Sequence, residues 1–229
     1  MPESKIKDNS ILKWDKQYRK SAHLSRWPWS YLVSYVYRFC HPKPGMRVHE
    51  LGCGAGANIP FFLSLGADYS ACDGSEHALS ILRAQYPALA SRLVEADFTR
   101  DLGTPGPFDL VIDRAALTHN TTLAIRRALD MVLDALHPGG IFCSVDWFST
   151  DCDDFASGIT TQDPFVRTGY RDGPFADVGL VHFSDKLHLL ELFKHFEIVA
   201  LNFRCEKSLI PGPEKRLCMW DVIARRPVT

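Results

Sequence analysis

The sequence predicts an α/β fold built on a doubly wound, mostly parallel sheet of seven strands. Three observations predict it. From residue 46 onward, short apolar runs alternate with helix-length amphipathic segments, the pattern of parallel strands joined by crossover helices. A glycine-rich turn at residues 52–56 separates the first such strand from the first helix. Two strand-like runs near the C-terminus, linked by Pro and Gly residues, predict a closing antiparallel hairpin.

The core of the predicted sheet follows from this alternation. We expect strands at residues 46–51, 68–72, 92–96, 108–113 and 141–148. We expect helices at residues 58–66, 76–86 and 123–136. The last of these helices ends at His137-Pro138-Gly139-Gly140, because proline blocks its continuation and glycine permits left-handed backbone.

Length and composition indicate one domain, since 229 residues of which 46% are hydrophobic can bury a single sizeable core. We expect this domain to have four parts. They are an N-terminal helical cap at 1–45, the core at 46–147, an insertion at 148–183, and a C-terminal helix with the hairpin at 184–229. The insertion is rich in Gly, Asp and Thr, which predicts a long irregular loop of the functional kind.

Charge and hydropathy exclude several classes of partner. The formal net charge is -1, and no run of five Lys or Arg residues is present to follow a phosphate backbone, so a nucleic-acid partner is disfavoured. No apolar stretch approaches the roughly 20 residues that span a bilayer, and residues 1–10 lack the apolar core of a signal peptide. We therefore expect a cytoplasmic protein without a membrane partner. The sequence gives no indication of oligomeric state.

The seven cysteines are odd in number, scattered, and contain no C-x-x-C pair. This spacing predicts neither a disulfide framework nor a zinc site, and no other metal is indicated. We expect most of these cysteines to be small buried apolar residues.

The glycine turn is compatible with two classes of cofactor. Its glycines let the backbone approach a ligand beside the positive end of a helix. The string Gly52-x-Gly54-x-x-Ala57 also satisfies the relaxed dinucleotide fingerprint, and Asp73 follows Gly52 by 21 residues, where either class could use a carboxylate for ribose. Glu50, however, lies two residues before Gly52, where a pyrophosphate would meet a negative charge. A cofactor without phosphates is favoured, and the forty-five residues ahead of the turn favour it further.

Several segments together resemble the class I S-adenosylmethionine-dependent methyltransferases, in particular their small-molecule methyltransferase domains. The segments are VHELGCGAG (48–56), CDGSEHAL (72–79), EADF (95–98), FDLVIDRAALTH (108–119) and HPGGIF (137–142). The resemblance implies a Rossmann-like sheet with an N-terminal helical lid, and S-adenosyl-L-methionine as cofactor.

The resemblance also implies which residues bind the methionine part of that cofactor. Gly52, Cys53, Gly54 and Gly56 would line it. Glu50 would lie nearby as a carboxylate that receives the amino group.

For the rest of the cofactor, the resemblance places Asp73 and Gly74 at the ribose, where a carboxylate has two acceptor oxygens for a diol. Asp97 would accept from the adenine amino group and Phe98 would pack on the ring. Asp113, at the end of the fourth strand, would face the methyl-transfer centre and is a candidate for both binding and catalysis.

Ordinary structural roles also explain these carboxylates. Asp73 and Asp97 could be turn or helix-capping residues, although their register with the glycine turn favours cofactor binding. Asp113 could equally form an ion pair with Arg114.

Methyl transfer needs a general base only when the acceptor is a weak nucleophile. His119 is the best placed candidate, six residues after Asp113, followed by His182 and Asp146. A histidine in a loop is more often structural than catalytic. We expect His49, within the first strand, to be a core residue.

Two aromatic and basic regions flank the core. The N-terminal cap could fold over the cofactor, with Tyr18 or Arg26 reaching its carboxylate, or it could simply pack on the sheet. In the insertion, aromatic residues and Arg167 and Arg171 could contact an anionic or sugar-like acceptor or anchor the loop.

The sequence therefore predicts a methyltransferase that acts on an O or N atom of a small molecule, such as a sugar or another natural product. A protein or RNA methyltransferase is the alternative within the same cofactor class. An NAD-dependent oxidoreductase and a non-catalytic subunit that keeps the fold remain open.

Overall fold

The structure is a computed structural model that describes residues 3–20 and 25–228, with side chains from Ser10 onward. The strands are, in chain order, β1 (Arg47–Leu51), β2 (Asp68–Asp73), β3 (Leu93–Glu95), β4 (Phe108–Arg114), β5 (Leu136–Phe148), β6 (Ile159–Thr160), β7 (Val166–Thr168), β8 (Val181–His182), β9 (Glu197–Ser208) and β10 (Lys215–Arg225). The α-helices are α1 (Glu3–Arg19), α2 (Ser30–Tyr35), α3 (Ile59–Ser64), α4 (Glu76–Gln85), α5 (Thr122–Ala135), α6 (Asp153–Ser157) and α7 (Lys186–Leu192). A π-helical turn, Val36–Cys40, continues α2.

Seven strands form the central sheet in the order β3-β2-β1-β4-β5-β10-β9. The first five in this order are parallel neighbours, and β10 runs antiparallel to both β5 and β9. The order reverses between β1 and β4, so the crevice of a doubly wound sheet lies at the carboxyl ends of these two strands. The predicted fold is confirmed, including the C-terminal hairpin.

Apolar side chains cover both faces of the sheet. On one face, Leu32 of α2, Phe62 of α3 and Leu79 of α4 belong to one buried cluster. On the other, Leu129 of α5 and Leu189 of α7 belong to a second. Both clusters draw on the central strands, which are buried on both sides as parallel strands between helices must be.

Side-chain caps mark the starts of three helices. Ser75 Oγ accepts from the Ala78 amide at 3.2 Å, Thr121 Oγ1 from Ala124 at 3.3 Å, and Asp185 from His188 at 2.7 Å. Each cap satisfies an amide that the first turn of a helix leaves without an intrahelical partner.

The C-terminal hairpin contains a disulfide that the scattered cysteine pattern did not predict. Cys205 and Cys218 are 13 residues apart, but the register of β9 on β10 makes them direct cross-strand partners with Cα atoms 3.9 Å apart. The expectation of no disulfide was wrong for this pair, because strand register cannot be derived from cysteine spacing. Four of the remaining five cysteines are buried, as expected.

The insertion is more ordered than its composition predicted. Its strands β6, β7 and β8 form a small antiparallel sheet. Phe148, Phe175 and Phe183 form a buried cluster that joins this sheet to β10. The guanidinium carbon of Arg167 lies 3.8 Å from the centre of the Phe155 ring, and its Nε donates to the Phe155 carbonyl. Arg167 therefore anchors the insertion.

The N-terminal helix α1 crosses the carboxyl ends of β1 and β2. Ser75 Oγ donates to Asp15 of α1 at 2.7 Å. A Cβ atom added to Gly74 would lie 3.0 Å from Ile11, and one added to Gly54 would lie 2.6 Å from the Tyr18 hydroxyl oxygen. Helix α1 thus forms a roof over the crevice of the sheet.

Candidate functional site

A cleft lies under this roof, at the point where the strand order reverses. Its wall combines the ends of β1, β2, β3 and β4 and the turns after them with the N-terminal cap. The lining residues after the strands include Glu50, Gly52, Cys53, Gly54, Ala57, Asn58, Asp73, Gly74, Asp97, Phe98, Arg114, Ala116, His119 and Asn120. The cap contributes Ser10, Ile11, Trp14, Tyr18, Ser25 and Trp29.

The glycine turn cannot carry side chains at three of its positions, two of which line the cleft. Gly52 has φ of +62° and Gly54 φ of +52°, both in the left-handed region. A Cβ atom on Gly52 would clash with Ala116, and one on Gly54 with Tyr18. Gly56 differs, because its added Cβ would meet Leu82 of α4 at 2.6 Å. Gly56 does not line the cleft and instead permits close packing of α4.

Glu50 is buried at the floor of the cleft. It accepts hydrogen bonds from Asn58 Nδ2 at 2.8 Å and from the Tyr69 hydroxyl. Burial raises the pKa of its carboxyl to about 7, although these two hydrogen bonds favour the ionised form. A cation placed in the cleft beside Glu50 would therefore stabilise the carboxylate.

Asp73 lies at the carboxyl end of β2 and is held by backbone amides. One carboxylate oxygen accepts from Gly54 and the other from Ser75, each at 2.8 Å. Burial raises its pKa. Each oxygen retains a further lone pair, so Asp73 both fixes the turn and can accept two hydroxyl groups. Gly74 lies beside it in the wall.

Asp97 and Phe98 line the far end of the cleft. Asp97 Oδ1 accepts from the amide and the hydroxyl of Thr99, at 3.1 and 3.0 Å. Its Oδ2 lies 3.7 Å from Arg100 Nε. The ring of Phe98 approaches the glycine turn, with Cε1 3.4 Å from the Cβ position of Gly52.

Asp113 does not line the cleft, which corrects its expected place at the reacting centre. Its Oδ1 accepts from the amides of Ala116 and Leu117, both at 3.0 Å, and its Oδ2 from Ser144 Oγ at 2.7 Å. Burial raises its pKa to about 6. Asp113 shapes the turn that presents Ala116 to the cleft, and it forms no ion pair with Arg114.

Two further candidate bases, Asp146 and His182, also lie outside the cleft wall. Asp146 accepts from Arg114 Nε at 2.9 Å and from Arg204 at 2.6 Å, and it is not part of the lining. His182 is fully buried beside Ser184 and outside the cleft wall. His49 is a core residue, stacked on Phe108 as expected.

His119 lies in the cleft wall, where three parts of the chain meet. Its Nδ1 is 2.9 Å from the carbonyl oxygen of Leu180 in the insertion, and its ring packs edge-on against Trp14 of α1 at 4.8 Å. A carbonyl can only accept, so Nδ1 carries the proton and Nε2 the lone pair of the neutral ring.

The two cap residues expected at the cofactor have different positions. Tyr18 lines the cleft, and burial together with the nearby Asp73 raises the pKa of its hydroxyl well above its usual range. It therefore remains a neutral donor. Arg26 is exposed and does not line the cleft, because the chain turns its neighbours Ser25 and Trp29 inward instead.

Sequence reasoning missed several lining residues. Asn58 and Asn120 had no recognisable signal. Arg114 was considered only as a partner of Asp113, although its place at the end of a core strand would have indicated the cleft. No group of three His, Cys, Asp or Glu side chains suited to a metal ion occurs among the described residues.

A family model described as a methyltransferase domain matches residues 48–140, the part of the chain that contains the glycine turn, Asp73, Asp97 and His119. This segment belongs to the methyltransferase domain family. For these residues the predicted methyltransferase family is confirmed, and S-adenosylmethionine is the cofactor of the methyltransferase from Methanosarcina mazei that shares the fold. The domain match decides against the NAD-dependent alternative.

A curated relative of this domain is also named as a methyltransferase. An uncharacterized methyltransferase from Synechocystis is 31% identical over 109 residues, which cover 45% of this chain and 48% of the relative. The match thus spans about half the length of that curated relative. None of the described helices has the length and apolarity that crossing a bilayer demands.

Two solved structures share the fold of the domain. A S-adenosylmethionine-dependent methyltransferase from Methanosarcina mazei has a TM-score of 0.65 at 17% identity, covering 89% of this chain and all of that one (100%). The 1,6-didemethyltoxoflavin-N1-methyltransferase of Burkholderia thailandensis, solved with that compound and S-adenosylhomocysteine, has a TM-score of 0.60 at 19% identity, covering 95% and 88% of the two chains.

Proposed function

We propose that the protein transfers the methyl group of S-adenosylmethionine to a small molecule bound between the glycine turn and the N-terminal cap. One observation carries the proposal. The cleft extends beyond the glycine turn into a space walled by Trp14, Trp29 and His119. Aromatic walls with a few polar groups are typical of small-molecule sites.

The residues of the turn fit the cofactor. Gly52 and Gly54 line the cleft without a Cβ atom, so a ligand can approach the backbone of the turn closely. Glu50 supplies a buried carboxylate for an amino group, and Asp73 supplies two oxygens for a diol. Tyr18 adds a neutral donor from above. S-adenosylmethionine, when bound, supplies a sulfonium methyl group that a lone pair of the acceptor displaces.

The chain's own contribution is mainly to orient the acceptor. Holding two reactants in line can remove about 7–11 kcal/mol of a barrier. Helix α1 covers the cleft, and the side chains of Trp14 and Trp29 line the space that the acceptor would occupy.

His119 is the residue that would take a proton from the acceptor. Its Nδ1 donates to Leu180, which orients the ring and leaves the lone pair on Nε2. A hydroxyl acceptor benefits from such a base, whereas an amine needs little help. Oxygen or nitrogen atoms of a sugar or another natural product are therefore the acceptors we expect.

A polymeric acceptor is less well supported. Among the described lining residues, Arg114 is the one Lys or Arg, whereas a nucleic-acid groove needs a track of several. The roof formed by α1 also narrows access for a folded protein. The 1,6-didemethyltoxoflavin-N1-methyltransferase, which shares the fold, binds 1,6-didemethyltoxoflavin together with S-adenosylhomocysteine.

Binding and turnover test the proposal separately. Calorimetry should show binding of S-adenosylhomocysteine and none of NAD. A methyl-transfer screen with isotope-labelled cofactor should then give labelled products from small-molecule pools, detected by mass spectrometry, and none from protein or RNA pools.

Each result has a distinct meaning. Labelled protein or RNA would support the polymer alternative and contradict the small-molecule proposal. Binding without any labelled product across all pools would favour a non-catalytic subunit that keeps the cofactor fold.

A further inference from the structure

Arg114 has a conformation that its salt bridge alone does not explain. It ends β4 and lines the cleft, with one third of its side chain exposed (33%). Its Nε donates to Asp146 at 2.9 Å, and the guanidinium lies over the Trp29 ring, 3.3 Å from the ring centre. Among the described residues, no oxygen accepts a hydrogen bond from its two terminal nitrogens.

The residue after Arg114 and its partner Asp146 both have backbone in the left-handed region. Ala115 has φ of +54° and Asp146 has φ of +59°. Residues with a Cβ adopt such angles at an energetic cost, and they are concentrated at ligand sites where the surroundings enforce them. The chain therefore accepts strain at two positions to hold Arg114 and Asp146 together at the cleft.

Charge sharing leaves Arg114 able to bind an anion. Asp146 also accepts from Arg204 at 2.6 Å, so its charge is divided between two guanidinium groups. Arg204 makes two further bonds to Asp221, at 2.7 and 2.8 Å, and Asp221 is buried. Among the described residues, Asp146 is thus the one carboxylate that accepts a hydrogen bond from Arg114, and it does so only from Nε.

The partners of Arg114 lie on the acceptor side of the cleft. The groups that fit the cofactor follow β1 and β2, whereas Asp146 belongs to β5, on the opposite side of β4. Trp29 comes from the segment before α2, which packs against β5. The guanidinium itself lies over the Trp29 ring.

We propose that Arg114 binds a carboxylate of the acceptor through its two terminal nitrogens, so that the acceptor is a small planar carboxylic acid. This inference rests on the proposed function. A guanidinium edge with two free N–H groups matches a carboxylate in a bidentate geometry. Trp14 and Trp29 provide the flat walls for the remainder of the molecule.

The test compares acids with their matched amides. Benzoate, phenylacetate and indole-3-carboxylate, each paired with its primary amide, are measured by ligand-observed NMR on the protein saturated with S-adenosylhomocysteine. We expect the acids to bind at least tenfold more tightly than the amides. In Arg114→Gln this preference should disappear, and in Arg114→Lys it should be intermediate, because a lysine keeps the charge but not the bidentate geometry.

Controls separate this effect from folding and from the cofactor. Arg126→Gln, which removes an exposed arginine of α5 paired with Glu191, should keep the full acid preference. Thermal melting and calorimetry with S-adenosylhomocysteine show whether Arg114→Gln is folded and binds cofactor as the unaltered protein does.

The outcomes distinguish binding of the acceptor's carboxylate by Arg114 from binding of the cofactor's carboxylate. Loss of acid preference with unchanged affinity for S-adenosylhomocysteine supports the inference. Loss of cofactor affinity with no acid preference in the unaltered protein would assign Arg114 to the cofactor's own carboxylate and overturn it. Failure of the unaltered protein to bind S-adenosylhomocysteine would instead reject the proposed function.

Discussion

The proposed cofactor half of the cleft is formed by the turns after β1, β2 and β3, and the proposed acceptor half is walled by Trp14, Trp29, Arg114 and His119. The two halves are built in different ways. In the cofactor half, backbone amides position the functional groups: Asp73 is held by the amides of Gly54 and Ser75, both close in the fold to the turn they define. In the acceptor half, side chains from distant segments hold one another, as in the packing of His119 on Trp14 and of Arg114 on Trp29. The first half is specified by local sequence, and the second by tertiary contacts.

The largest expected effect tests the acceptor half. His119→Asn keeps an amide nitrogen near the position of Nδ1, so the contact to Leu180 can persist while the base is lost. If His119 acts as the base for a hydroxyl acceptor, we expect turnover to fall by about 100-fold to 10,000-fold, with the affinity for S-adenosylhomocysteine unchanged. Initial rates and calorimetry measure the two quantities.

A structural role for His119 would give a different pattern. His119→Asn would then retain turnover, while His119→Ala would lower the melting temperature through the lost contacts to Leu180 and Trp14.

The next effect tests the cofactor half. Asp73→Ala removes both acceptors for the ribose and the acceptor for the Gly54 amide. Since hydrogen bonds to a charged group contribute about 1.5–3 kcal/mol each, we expect the affinity for S-adenosylhomocysteine to fall at least 100-fold in calorimetry. Asp130→Ala, at an exposed site on α5, is the matched control. Equal affinities in the two variants would remove Asp73 from the cofactor site.

The smallest effect concerns the charge state of Glu50. Because its pKa is about 7 in the free protein, an ammonium group bound beside it should favour the ionised form. We expect the affinity for S-adenosylhomocysteine to fall by up to about tenfold for each pH unit below 7, and binding near pH 7 to release a proton. Glu50→Gln should make the affinity independent of pH in this range. A pH-dependence that persists in this variant would assign the titration to another group.

The free energy of unfolding should depend on pH with the opposite sign to the cofactor affinity. A carboxyl whose pKa is raised by folding destabilises the fold when it ionises. The contribution of Glu50 to the free energy of unfolding is therefore fully present below its ordinary pKa and is lost as pH rises to about 7. In denaturant titrations without ligand, Glu50→Gln should abolish that part of the pH-dependence.

The same contrast explains what the sequence could predict. The strands, the hairpin, the glycine turn and the positions of Asp73 and Asp97 follow from periodicity and local spacing. The structure agrees, except that β5 begins at Leu136, five residues before the predicted strand. Asp113 and Arg26 were expected in the cleft and lie outside its wall. Their orientations depend on Ser144 and on the path of the cap, which local sequence does not encode.

Long-range pairing accounts for the other differences. The Cys205–Cys218 disulfide depends on the register of two strands, and the small sheet in the insertion depends on burial of Phe175 and Phe183 against β10. Arg114 was the most informative omission, because its partners Asp146 and Trp29 are remote from it in the chain.

The position of α1 has a consequence for the catalytic cycle. Tyr18 lies directly over Gly54, and Ile11 over Gly74, so the spent cofactor cannot leave along the path above the turn unless α1 moves. Exchange of product for fresh cofactor is then coupled to the opening of one helix, which the Ser75–Asp15 hydrogen bond helps to close. Where cofactor exchange is the slow step, weakening that hydrogen bond should raise turnover and admit more water to the cleft.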